Sequence, residues 1–117
     1  MHPDASTFLP LKPPVLEILI SLAEGERHGY ALLSEIDART QGAVNLLPAQ
    51  LYRYLRRLCE DGLIAEAEER PAPELDDERR RYYGITRLGR AVAEAEVRRL
   101  EAVLAEARAR LRPREAR

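Results

Sequence analysis

Tryptophan is absent from this chain of 117 residues, and phenylalanine, methionine and cysteine occur once each. A single cysteine, Cys59, leaves no internal disulfide framework and no cysteine zinc cluster, in keeping with a reducing cytoplasm. Only two histidines are present, His2 and His28, so no metal site is expected. No nucleophile–base pair and no glycine-rich phosphate loop can be read, so neither an enzyme nor a cofactor is expected. Long apolar runs are also missing. The best candidate, Val15 to Ala23, contains Glu17 and is roughly half the length that a bilayer requires. The leading "MHPDASTF" has neither the basic start nor the apolar run of a signal peptide. The expectation is a soluble cytoplasmic protein with no membrane partner. An excess of charge is lacking too: 19 basic and 20 acidic residues give a formal net charge of −1. That excludes a uniformly basic nucleic-acid binder. It leaves room for a locally basic face, so the distribution of charge matters more than its sum.

The order of elements follows from the periodicities. Pro13 and Pro14 suit a helix start, and "VLEILISLAEG" follows, apolar almost all round and therefore buried on more than one side. "RHGYALLSEIDARTQG" gives a second helix with Tyr30, Leu33 and Ile36 at helical spacing, closed by Gly42. A third runs from Pro48 to the Asp61–Gly62 stop. From Ile64 the period changes to the alternation of a strand in "LIAEAEER". "PAPELDDE" reads as a loop and "RRRYYGIT" as the returning strand, with Tyr83 and Ile85 on its core side. A long amphipathic helix follows from Thr86, its N-cap, to about Leu111. The fold class is mainly α with a small β-hairpin: a winged helix-turn-helix domain over residues 1–86, a C-terminal dimerisation helix over 87–111 and a disordered tail over 112–117. The segment around His2 reads as a leading tail.

The third helix carries two faces. Leu51, Leu55 and Leu58 form its core stripe, with Tyr52 and Tyr54 at the rim. Arg53 and Arg57 project from the opposite side, Gln50 lies near them, and Arg56 completes the exposed arc. From Leu51 to Cys59 there are three arginines and no acid. Exposed helix arginines are commonly no more than a solvated face. A second basic cluster, Arg79, Arg80 and Arg81, falls on the hairpin that would flank the same groove, and the two together favour nucleic acid. Gln50, Arg53 and Arg57 are the candidates for base edges, and Arg56, Tyr52, Arg79, Arg80 and Arg81 for phosphates.

"HGYALLSEI", "LYRYLRRLCEDGLI" and "DDERRRYYGITRLGR", in that order, strongly resemble the PadR-type transcriptional regulators across roughly Pro13 to Leu111. In that family a His-Gly-Tyr opens the second helix, a Leu-Tyr-x-x-L-x-R-L core marks the recognition helix, and an Arg-x-Tyr-Tyr strand runs into a T-x-x-G-R turn. The resemblance implies a homodimeric winged-helix repressor on double-stranded DNA, with a small-molecule effector near the dimer interface. Two departures stand out. Leu47, Pro48, Ala49 and Gln50 replace the small hydroxyl residues at the entry to the recognition helix, so no operator sequence carries over. The loop before Arg79 lacks glycine and holds Glu74, Asp76, Asp77 and Glu78, carboxylates that would repel phosphate.

The remaining residues read more plainly. Gly29 allows close helix approach, Tyr30 packs in the core and His28 sits at a helix start, a better account than acid–base chemistry. Cys59 reads as a partly buried structural cysteine rather than a redox sensor. On the last helix Val97, Leu100, Leu104, Ala107 and Leu111 follow an a/d pattern. A lone helix must cover that stripe with a partner subunit or by folding back on its own domain, and the first is favoured. A two-fold dimer would place two recognition helices about one DNA turn apart on a palindromic operator. The competing reading is a winged-helix protein-interaction module that dimerises without binding DNA.

Overall fold

The computed structural model describes residues 4–67 and 81–113. Among the described residues are four α-helices: α1 (Pro13–Ala23), α2 (Gly29–Arg39), α3 (Pro48–Glu60) and α4 (Arg87–Leu111). Three short strands accompany them, β1 (Arg27–His28), β2 (Ile64–Glu66) and β3 (Tyr82–Ile85). The strands form one antiparallel sheet in the order β1-β3-β2, with Arg27 opposite Tyr83 and Ala65 opposite Gly84. The β2–β3 pair is the expected hairpin. The third strand, β1, corrects the expectation of two; at two residues it is too short to show any alternation in sequence.

Each helix start has a local cause. α1 begins on two prolines, which need no partner for a missing N–H, and Lys12 before them is extended, as a residue preceding proline must be. α2 is capped by His28, whose Nδ1 accepts from the Ala31 N–H at 3.2 Å. The ring of His28 also meets Tyr82 edge-on, 5.6 Å between centroids. Thr86 caps α4, accepting from the Gly89 N–H at 3.0 Å.

One core joins these elements. Ile18, Leu19 and Leu22 of α1 pack with Leu32 and Ile36 of α2, Leu51, Leu55 and Leu58 of α3, and Leu63, Ile64, Tyr83 and Val92 beyond them. Tyr30 is not among them: it is 55% exposed. The buried face of α2 turns through Leu32 and Ile36 instead, with Leu33 half-buried. Between helices, polar ties add direction. Arg39 donates to the Glu17 carboxylate and to the Ser21 hydroxyl, both on α1, and Arg27 pairs with Glu35 at 2.8 Å.

The joint between the α3–β2 turn and α4 is closely packed. The Thr86 hydroxyl donates to the Gly62 carbonyl at 2.6 Å, and its N–H donates to the Leu63 carbonyl at 3.1 Å. A Cβ built on Gly89 would lie 1.9 Å from that same Leu63 oxygen. Arg90 then reaches back to the Ala23 carbonyl at the end of α1, 3.2 Å away. The Thr-x-x-Gly-Arg spacing thus supplies a cap, a gap and a brace in succession.

The described part of the leading segment, from Asp4, packs on the domain. Ala5–Phe8 form a 3-10 turn, and Phe8, Leu9 and Leu11 pack against the core. The Leu11 N–H donates to Glu96 of α4 at 2.9 Å. Glu96 is only 1% exposed, a carboxylate shielded from water and gripped by the Arg99 guanidinium at 2.5 and 3.0 Å. The Arg99 hydrogen bond holds the Glu96 carboxyl below its ordinary value; burial opposes this, and the Leu11 N–H adds to it.

Gly89→Ala is expected to cost about 3 kcal/mol, because a backbone carbonyl must move to admit the methyl group; denaturant unfolding measures it. Because the folded Glu96 carboxyl is lowered, its stabilisation is complete above the ordinary carboxylate value of about 4.3 and is lost as pH falls through the lower folded value. The stability gap between wild type and Glu96→Gln should therefore be constant near neutrality and shrink below about pH 4 in unfolding curves.

Candidate nucleic-acid interface

α3 turns Leu51, Leu55 and Leu58 inward and leaves Gln50, Arg53, Arg56 and Arg57 exposed. These residues, with Tyr54, Glu60 and Lys12, line an open groove of about 530 Å³. Its charged lining is four cations, Lys12, Arg53, Arg56 and Arg57, against one carboxylate, Glu60. A groove of one prevailing sign on a chain of net charge −1 draws anions to one place. Arg57 also meets Asp61 at 3.3 Å, an exposed pair one helical turn apart that a phosphate can displace at little cost.

The expected contact residues do not all gather here. Tyr52 is buried: its ring lies over Gly29, where an added Cβ would come within 2.8 Å of Cε1, and its hydroxyl oxygen is shut off from solvent. It fastens α3 to α2 and cannot reach a phosphate from that position, which corrects its assignment. Arg81 pairs with Glu66 across the β2–β3 ladder at 3.3 Å, and its carbonyl accepts from the Gly29 N–H. Arg79 and Arg80, and the acidic loop before them, lie outside the described residues.

Gln50 has a task that the sequence hid. Its Oε1 accepts from the Leu47 N–H at 2.9 Å, half of a capping box on a helix whose N-cap leucine has no polar side chain. A bidentate contact to adenine needs that same oxygen as an acceptor. Gln50 can therefore offer a base its amide N–H groups while the cap stays intact. Lys12 was missed altogether, because its place beside α3 depends on how α1 packs and no local pattern announces it.

Cys59 sits on the flank of α3, half-buried against the core. Burial pushes its thiol up from the ordinary value, and the Glu66 and Glu60 carboxylates push it further. That disfavours the thiolate a redox sensor needs.

A second surface lies on α4. Its last buried residue is Glu96, and beyond it Val97, Leu100, Val103, Leu104 and Leu111 are exposed, with Ala107 half-buried. At 3.6 residues per turn, Val97, Leu100, Leu104, Ala107 and Leu111 fall within an arc of about 80°. The described residues of its own domain leave this stripe uncovered. A mostly apolar groove of about 460 Å³ between α1 and α4, lined by Ile20, Ala23, Ala93 and Val97 among others, adjoins the stripe.

Three helices with α3 presented outward, a small sheet whose hairpin follows α3, and a trailing helix define a winged helix-turn-helix protein. The family model for PadR-like transcriptional regulators matches residues 18–95. The chain belongs to that family. An uncharacterized protein of Lysinibacillus sphaericus is 35% identical over 74 residues, covering 63% of this chain and 65% of that protein. The match thus spans just under two thirds of the relative's length. A PadR family transcriptional regulator of Eggerthella lenta superposes with a TM-score of 0.62 at 26% identity, over 92% of this chain and 83% of that one. Bacillus subtilis PadR, solved in complex with operator DNA, gives a TM-score of 0.65 at 22% identity, over 75% of this chain and 48% of that one, a likeness of fold. No described helix is long and apolar enough to cross a membrane.

Gln50→Ala is expected to lose the cap and about 1 kcal/mol of stability. Gln50→Glu keeps an acceptor at the same place and should unfold within a few tenths of a kcal/mol of wild type in urea, about the scatter of a neutral surface change.

Proposed function

We propose that the protein is a homodimeric, sequence-specific DNA-binding repressor that lays α3 in the major groove of a palindromic operator. The observation that carries this reading is the composition of the α3 groove, four cations against a single acid on a chain with no net positive charge. Arg53 and Arg57 stand on the outward side of the helix, where a guanidinium can pair with the O6 and N7 of guanine. Arg56 is placed for phosphate, and Arg79 to Arg81 would flank the duplex from the hairpin. Bacillus subtilis PadR, a protein of the same fold, is solved in complex with operator DNA, which supports a DNA partner for this reading.

The exposed stripe of α4 supports the dimer. Leaving Val97, Leu100, Val103, Leu104 and Leu111 in water is costly for a single chain, and a second copy offers the matching face. Two-fold pairing sets the recognition helices about one helical turn of DNA apart, roughly 34 Å. A small-molecule effector, in this reading, occupies the apolar groove between α1 and α4, beside the dimer contact.

Wild-type protein is expected to bind a duplex from its own upstream region more tightly than random duplex. The affinity should fall with salt at a log–log slope of about −0.9 per phosphate neutralised. The Arg53→Ala/Arg57→Ala pair should cost roughly 2 kcal/mol or more and erase the preference over random duplex. Fluorescence anisotropy across a salt series reads both quantities. Absence of binding to either duplex at low salt would remove the reading.

A further inference from the structure

Lysine occurs once in this chain, among 19 basic residues, and that lysine lines the α3 groove from the start of α1. We propose that Lys12 is a phosphate contact of the DNA interface and that Glu96, on α4, is its positioning residue, acting through the main chain of Leu11. The inference rests on the DNA-binding reading above.

The main chain at Lys12 has little freedom. Pro10 lies two residues before it and Pro13 and Pro14 follow, so three fixed φ angles bracket the position. Lys12 itself is extended, φ −67° and ψ 145°, the state that a following proline enforces. Leu11 is anchored twice: its side chain packs on the core and its N–H donates to Glu96 at 2.9 Å. Glu96 is in turn immobilised, buried and held by both Arg99 contacts. A buried carboxylate bound to the amide next in sequence fixes where the lysine stem begins. Only the four-carbon side chain is left to adjust, and its ammonium is a compact charge suited to a phosphate oxygen. Arg53 and Arg57 on α3 are better matched to the planar edges of bases. Glu96 immediately precedes Val97, where the exposed α4 stripe begins, so the same latch ties that stripe to the groove.

The test measures affinity for the upstream duplex between about 50 and 200 mM salt. Wild type is compared with Lys12→Ala, Lys12→Arg, Glu96→Gln, the Lys12→Ala/Glu96→Gln double variant and Arg53→Ala/Arg57→Ala. Lys12→Ala should weaken binding and reduce the magnitude of the salt slope by about 0.9 per subunit, while Lys12→Arg keeps the slope. Glu96→Gln should weaken binding about threefold or more when Lys12 is present and add nothing in the Lys12→Ala background. Thermal unfolding confirms that each variant is folded at the assay temperature. Acylation of the sole lysine, followed by mass spectrometry, should slow when duplex is added to wild type.

A salt slope unchanged by Lys12→Ala, or acylation indifferent to duplex, would overturn the contact. Equal losses from Glu96→Gln in both backgrounds would overturn the positioning role, since general destabilisation ignores whether the lysine is there. If wild type binds and Arg53→Ala/Arg57→Ala does not, while Lys12→Ala behaves as wild type, this inference fails and the DNA reading stands. If wild type binds no duplex, both fall together.

Discussion

The Leu63 carbonyl passes so near Gly89 that a methyl group there would sit 1.9 Å from its oxygen, and much of the molecule hangs on that approach. Leu63 leads from the end of α3 into β2, and Gly89 lies in the first turn of α4. Pressing the two together sets α4 against the turn that terminates the recognition helix. Thr86 locks the contact by donating to Gly62 and accepting from Gly89, and Arg90 extends it to the end of α1. The opposite end of α3 is fixed by a similar economy of volume, with Tyr52 laid against Gly29. Two glycines thus set the position of one helix, each by giving up the space a side chain would occupy.

The near-zero net charge has a structural reading. Five arginines outside α3 have a carboxylate partner: Arg27 with Glu35, Arg39 with Glu17, Arg81 with Glu66, Arg99 with Glu96 and Arg110 with Glu106. Each pair cancels in the total. Exposed pairs of this kind are worth about 1 kcal/mol at most, so they orient elements more than they stabilise them. Glu96 differs, because its carboxylate is withdrawn from water and depends on its partners. Around α3 the balance is uneven, with Glu60 and Asp61 set against Lys12 and three arginines. The field of the protein is therefore concentrated by internal cancellation elsewhere.

Patterns confined to one element were legible. The leucine stripe of α3, the prolines at two helix starts and Thr86 as a cap can all be read because period and capping act over a few residues. The opposite face of α3 was legible for the same reason. What escaped depends on partners distant in sequence. β1 is two residues long and exists because β3 offers it an edge. Tyr52 and Tyr30 are equally aromatic, yet Gly29 makes room for the first while more than half of the second is exposed. Gln50 looked free to read bases because a cap was expected from a hydroxyl, and leucine stands where that hydroxyl would be. The contact of Leu11 with Glu96 has no local signature because the two lie 85 residues apart.

The exposed half of α4 has a mechanical consequence. Fifteen residues follow Glu96 before the helix ends at Leu111, a length of about 22 Å at 1.5 Å per residue. A tilt of about 5° at the last buried residue displaces the far end by roughly 2 Å over that length. The first turns, by contrast, are clamped to α1, the turn before β2 and the leading segment. α4 is therefore a lever with a short fixed arm and a long free one, and small movements at its root are magnified at its tip.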